Sequence, residues 1–239
     1  MSGVFLGELM IKNVFRGFER KEWILYGLSL FVVVGSNFFS NDVNFINILS
    51  SILGVTTLIF IAKGRVFGQV MAVAFGVVYS LSALRLRYYS EIVTHFCMSV
   101  PIAVFSIIAW LKNQSGNTDG AVKIRKFSIR EILVLFVLTS VVTLAFYFIL
   151  QALNTPNLMV ATISVATGFA AAYLLLRRIS WYAVAYVLND IILIVLWLIA
   201  SLENLENLTM VACFIMFLLN DSYAFIRWKL REKQQMLKK

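Results

Sequence analysis

The chain is short of the residues that bend, cross-link and charge a soluble protein. Two prolines stand among 239 residues, and only 14% of the residues are charged. Apolar residues make up 61%, where a soluble domain carries roughly 45–50%, so there is no room for a sizeable soluble domain. The single histidine excludes a bis-histidine haem or a histidine-rich metal site. Cys97 and Cys213 both lie in apolar runs, where small packing residues are expected rather than a disulfide or metal pair. Nothing matches a phosphate-cradling glycine loop ending in Lys-Ser/Thr, which excludes ATP as the energy source. No enzymatic constellation, metal site or cofactor is expected. The first twenty residues lack a compact apolar core followed by a small-residue cleavage site, so no cleavable signal is expected either.

Apolar runs of about 18 residues recur instead, each long enough to span a bilayer. They predict eight transmembrane helices near 22–40, 46–62, 66–84, 92–111, 130–150, 158–176, 181–200 and 207–226. The net charge of +9 would suggest nucleic acid in a soluble protein. Here the charges sit between spans and in the tails, so they read as topology signals and no nucleic acid is expected. With the N-terminus inside, Lys12, Arg16, Arg20, Lys21, Lys63, Arg65, the five cations from Lys112 to Arg130, Arg177, Arg178 and the C-terminal cations all fall on the cytoplasmic side. Only Arg85 and Arg87 fall outside, which satisfies the positive-inside rule with both termini cytoplasmic. Residues 1–21 carry Phe5, Leu9, Val14, Phe15 and Phe18 roughly on one face, and predict an interfacial amphipathic helix. QSGNTDG, 114–120, reads as the flexible cytoplasmic loop.

An internal repeat organises the spans. GVTTLIFIAKGRVFGQV aligns with GFAAAYLLLRRISWYAV at an offset of 114, pairing Gly54 with Gly168, Lys63 with Arg177 and Phe67 with Trp181. Further on the offset is 118, pairing Met98 with Met216 and the basic exit after Trp110 with that near Trp228. The plan predicted is 1+(3+1+3). It comprises an interfacial segment 1–21, an extra span 22–40, a three-helix repeat over 44–112, a loop and linker helix over 113–151, a second repeat over 157–228 and a basic tail 229–239. Parallel three-helix repeats are a transporter architecture, with substrate held near mid-depth between them. The fifth span has no charge or amide in its apolar run and reads as a lipid-facing linker.

Polar residues inside spans are costly, and so they point to a site or to a brace. WYAVAYVLNDIILIVLW, 181–197, places Tyr182, Tyr186, Asn189, Asp190 and Trp197 on one broad helical face. The eighth span adds Asn220 and Asp221, the third Gln69 and Tyr79, and the fourth His95 and Met98 beside Pro101. Each has a plainer reading. Asp190 is a carboxylate held by neighbouring donors, Asp221 pairs with Arg227 or Arg178, and Asn189 and Asn220 are interhelical glue. His95 is then simply solvated, and Trp181 anchors at the interface. A carboxylate pair between Asp190 and Asp221 is disfavoured by their different predicted depths.

The ordered series resembles the PnuC-type vitamin transporters. NVFRGFERKEWILYGLSL looks like their lead-in and first span. The Lys-Gly turn, the Tyr-Tyr-x-Glu entry at 88–91, the Pro-containing span and the Trp-Lys exit resemble their first repeat. SWYAVAYVLNDIILIVLW and FLLNDSYAFIRWKL resemble their seventh span and their end. The resemblance implies an all-α fold like full-length SWEET transporters and facilitated diffusion of nicotinamide riboside at the bacterial inner membrane. It also implies trapping by a separate cytoplasmic kinase. It brings Trp181, Asn189 and Asn220 forward as substrate residues. Tyr186 stands where relatives often carry Trp or Asn, and the Gln that many place after the proline is absent, so thiamine is a runner-up substrate. A non-transporting structural or channel-like membrane protein is the alternative of another class. The partners expected are a small-molecule substrate, the lipid bilayer and further copies of the chain.

Overall fold

The computed structural model describes residues 15, 17–39, 45–85, 89–115, 120–203 and 205–237. The amphipathic segment expected over 1–21 lies largely outside these residues. Among them the chain forms eight helices and no strand: α1 Arg20–Ser36, α2 Phe45–Ala62, α3 Val66–Arg85, α4 Tyr89–Leu111, α5 Ile129–Ala152, α6 Leu158–Leu176, α7 Tyr182–Ser201 and α8 Leu208–Leu237. Seven of them, α2 to α8, are long and apolar enough to cross a membrane. The 17 residues of α1 span about 26 Å at ~1.5 Å per residue, a little under a hydrocarbon core of about 30 Å. α8 runs well past the predicted end of the eighth span, and residues 229–237 of the expected tail continue it as helix.

Local chemistry sets several boundaries. Glu19 and Glu22 form a capping box around the start of α1, with the Glu19 amide donating to Glu22 Oε2 at 2.8 Å. Ser128 caps α5 by accepting from the Glu131 amide. In α4 the residues Val93–Ser99 form a wide π-helical stretch, in which the Val100 amide bonds the His95 carbonyl five residues back. Pro101 follows directly and has no N–H to return to the ladder, which fits a local loss of α-helical register.

The helices pack in a closed order. α1 touches α2 and α8. α2 touches α3 and α8, α3 touches α4, α4 touches α6, α6 touches α7, and α7 touches α8. α5 packs mainly on α6, and its remaining surface is exposed Phe136, Val137, Val141, Leu144 and Phe148, as a lipid-facing linker requires. The main core lies at the end carrying the basic turns, where Ile61, Trp110, Val122, Leu175, Ile179, Tyr182 and Trp228 are buried together.

Two turns at that end are built alike. After α2 the Gly64 amide donates to Ile61 O and the Arg65 amide to Phe60 O, with Gly64 at φ +66°. After α6 the Arg178 amide donates to Leu175 O and the Ile179 amide to Leu174 O, with Arg178 at φ +61°. Both are left-handed helix ends that satisfy otherwise orphaned carbonyls. Each turn carries a cation tied to a carboxylate at the start of another helix. Lys63 Nζ lies 2.6 Å from Glu22 on α1, and Arg177 bonds Glu131 on α5. A tyrosine completes each set: Tyr223 donates to Glu22 at 3.0 Å and Tyr173 to Glu131 at 3.1 Å. Burial pushes the Lys63 ammonium down against the opposing pull of Glu22. The hydrogen bond from Glu131 raises Arg177, and burial lowers Arg178.

The loop read as flexible is partly a strap. Residues 116–119 lie outside the described set, but the chain from 120 onward crosses the basic end of the bundle. The Val122 amide donates to Gly64 O and the Arg125 amide to Arg178 O, each at 2.9 Å. The strap therefore bonds both of the matching turns. Val122 is fully buried in the main core beside Trp110 and Trp228.

Candidate substrate site

The costly residues of α7 and α8 meet at one level. Asp190 lies eleven residues before the end of α7 at Ser201, and Asp221 thirteen after the start of α8 at Leu208. At ~1.5 Å per residue these places are about 17 and 20 Å from the connecting turn, so antiparallel packing brings them side by side. The two carboxyls lie within hydrogen-bonding reach of each other, and both residues are 3% exposed. The depth difference inferred from the sequence came from ending the eighth span at 226; α8 continues to Leu237, and Asp221 is correspondingly deeper.

Tyr182 and Tyr186 complete the cluster. Tyr182 is fully buried, with its ring edge-on to Trp228 at 4.7 Å and to Tyr186 at 6.1 Å between centroids. Its hydroxyl has no hydrogen-bond partner and stands within electrostatic reach of Asp221, while Tyr186 is within reach of both carboxyls. Asp190 Oδ2 is likewise without a partner.

Asn189 faces another way. Its Oδ1 accepts from the Thr167 hydroxyl of α6 at 2.9 Å, beside Gly168. Asn220 is buried against α1, donating to Ser29 Oγ at 2.8 Å and to Met216 O at 2.7 Å, with Oδ1 left unpaired. Gln69 on α3 is buried, with Nε2 unpaired. These three amides surround the bundle interior on three helices but are not bonded to the carboxyl pair.

The remaining predicted residues fall elsewhere. Tyr79 and His95 form a second cluster, rings 4.5 Å apart, with Glu91 accepting from Tyr79 at 3.2 Å and lying 3.6 Å from His95. Met98 packs with Phe146, Leu150 and Val165 of the linker side. Trp181 is 42% exposed at the start of α7, against Phe225 and beneath the Lys229 ammonium. Site residues that sequence reasoning missed are Glu91 and Thr167. Glu91 was visible only as an entry motif, and a threonine mid-span is routinely satisfied by its own helix. Two open grooves on the bundle, between α5 and α6 and between α1 and α8, touch none of these residues.

Buried carboxyls, amides and phenols between apolar spanning helices mark a substrate pathway. Fold and site together define a multi-pass helical membrane transporter rather than an enzyme. The family model described as "Nicotinamide mononucleotide transporter" matches residues 44–230. The chain belongs to that family. It is 22% identical over 223 residues to the nicotinamide riboside transporter PnuC of Neisseria mucosa, covering 91% of this chain and 84% of that protein. The crystal structure of the vitamin B3 transporter PnuC superposes with a TM-score of 0.80 at 20% identity, over 94% of this chain and 97% of that one. At that identity the likeness establishes the fold.

Proposed function

We propose that the protein takes up nicotinamide riboside by facilitated diffusion with alternating access. The observation that carries this reading is the buried Tyr182–Tyr186–Asp190–Asp221 cluster inside a chain of this family. A pyridinium ring is a delocalised cation, which aromatic faces attract and a neighbouring carboxylate favours. The unpaired Gln69 Nε2 and Asn220 Oδ1, with the Asn189 amide, suit the carboxamide and ribose hydroxyls. Tyr79, His95, Met98 and Trp181 would act along the path to the site. The acidic pair also separates the two ligands named by the relatives. Among the described residues no Lys or Arg acts on Asp190 or Asp221, so a nucleotide phosphate would meet repulsion where the nucleoside does not.

The architecture supporting this is two parallel units, 1+3 and 1+3, like full-length SWEET transporters, with all eight helices spanning. The matched turns support it, since Gly64 and Arg178 differ by the repeat offset. So do the tryptophans: Trp110 Nε1 donates to Leu175 O and Trp228 Nε1 to Ile61 O, a reciprocal exchange between units. The contacts of α2 with α8 and of α6 with α4 likewise exchange when the units are swapped. We place the protein in the bacterial inner membrane with both termini cytoplasmic, as a homo-oligomer working with a cytoplasmic kinase that traps the substrate.

The test is purified protein in liposomes. Nicotinamide riboside should equilibrate without ATP or an ion gradient, ahead of thiamine and of the mononucleotide in the same panel. No binding at millimolar nicotinamide riboside would end the substrate reading, and thiamine alone equilibrating would replace it.

A further inference from the structure

The Asp190–Asp221 contact joins two carboxyls that are both nearly fully buried, between helices that bring them no cation. As carboxylates neither has a proton to donate, and Asp190 Oδ2 is left without a partner. Two like charges in contact at this depth repel, and a shared proton removes the repulsion and turns the contact into a hydrogen bond. The surroundings offer no other remedy. From α7 the facing titratable groups are the Tyr182 and Tyr186 phenols; from α8, Arg231 acts on Tyr182 rather than on either carboxyl. α6, packed on α7, contributes Thr167 to Asn189, and α1, packed on α8, contributes Ser29 to Asn220, both uncharged. An independent mark of ligand chemistry is the Tyr182 hydroxyl, fully buried and unpartnered within reach of Asp221.

We propose that Asp190 and Asp221 hold one shared proton in the empty site and give it up to solvent when a cationic ligand binds. This rests on the substrate site described above. The charge balances: one positive charge enters beside the pair as one leaves, and no bond other than O–H breaks. Release of one proton ties affinity to pH, so the Kd of a cationic ligand falls by up to about tenfold per pH unit where the pair is protonated. With equal pH on both sides the transporter still only equilibrates its substrate; a pH difference biases it.

Two measurements test the inference. Infrared difference spectroscopy of the full protein without ligand should show a protonated-carboxyl C=O band. That band should be lost on adding nicotinamide riboside and be absent from Asp190→Asn and Asp221→Asn. Calorimetry across pH should show the affinity slope for nicotinamide riboside and none for its uncharged dihydro form. Absence of the band in the wild-type protein overturns the shared proton. So does a flat profile with the cationic ligand, an equal slope for the neutral one, or a sodium dependence in place of the pH dependence. A band that persists in a protein binding no nicotinamide riboside supports the proton and overturns the substrate assignment, which separates the two failures.

Discussion

At the scale of single residues, the basic turns carry more than topology. Lys63 was legible as one of many inside cations, yet it is a buried partner of Glu22 and donates also to Gly17 O at 2.7 Å. Removing one partner of a buried ion pair leaves an uncompensated charge and costs about 3–5 kcal/mol. Lys63→Met should sit near the low end, since Tyr223 and Arg227 still face Glu22. Adding Glu22→Gln should restore much of the loss. Thermal unfolding in detergent checks both, and an additive double variant would show the pair to be uncoupled. Asn189 allows a functional test. Its oxygen is occupied by Thr167, which fixes the amide plane and aims the NH2 group. If that group donates to substrate, Asn189→Ala weakens nicotinamide riboside binding by about threefold to tenfold, the worth of one hydrogen bond of roughly 0.5–1.5 kcal/mol. Thr167→Val should weaken it by less. Unchanged calorimetric affinity in both would leave Asn189 as a helix brace.

At the scale of elements, the apolar runs made α2 to α8 readable, because twenty residues of unbroken hydrophobicity have one stable solution in lipid. The strap was not readable. Residues 121–126 have no periodicity and few apolar side chains, and their order comes from carbonyls presented by two distant turns. The carboxyl pair was hidden for a related reason: residue depth depends on where α8 ends, and basic residues past 226 gave no sign that the helix continues through them. The strap makes a specific prediction. Val122 fills a fully buried place, so Val122→Thr keeps the shape and adds a hydroxyl with no partner, at a cost of about 1–3 kcal/mol. Because the strap's own amides hold it down, hydrogen exchange should quicken first at Val122 and Arg125, whose bonds reach Gly64 and Arg178. Equal quickening along α2 and α6 would mean that the strap is not a separate opening unit.

At the scale of the whole molecule, the repeat found in the sequence has a boundary different from the one first drawn. The plan 1+(3+1+3) treated the first helix as an addition and the fifth as a linker. Glu22 near the start of α1 and Glu131 near the start of α5 hold Lys63 and Arg177, which are themselves a repeat pair. That correspondence groups the helices as (1+3)+(1+3). The offset also persists into the site, since a Cβ on Gly54 would lie 3.3 Å from Phe75 and one on Gly168 3.5 Å from Asn189 Oδ1. Asn189 thus occupies the place of a packing Phe in the other unit, and the polar site is an asymmetry written into a symmetric frame. The positive-inside count predicts that alkaline phosphatase is inactive when fused after Lys239 and active when fused at Asn154; the reverse would invert the whole topology. The seam between units predicts the motion. Trp110 and Trp228 stack at 5.7 Å and each bonds a carbonyl of the opposite unit, so rocking of one unit against the other must loosen both bonds at this end. Trp110→Phe and Trp228→Phe keep a ring and remove one bond each, a net change of about 1 kcal/mol. Each should therefore shift the balance between the two access states and change liposome flux severalfold, by similar amounts. Neither residue lies in the Asp190–Asp221 cluster, so equilibrium affinity should move far less than flux. Parallel losses of affinity and flux would instead place the tryptophans in the binding site, and no change in either would show that the seam stays closed throughout transport.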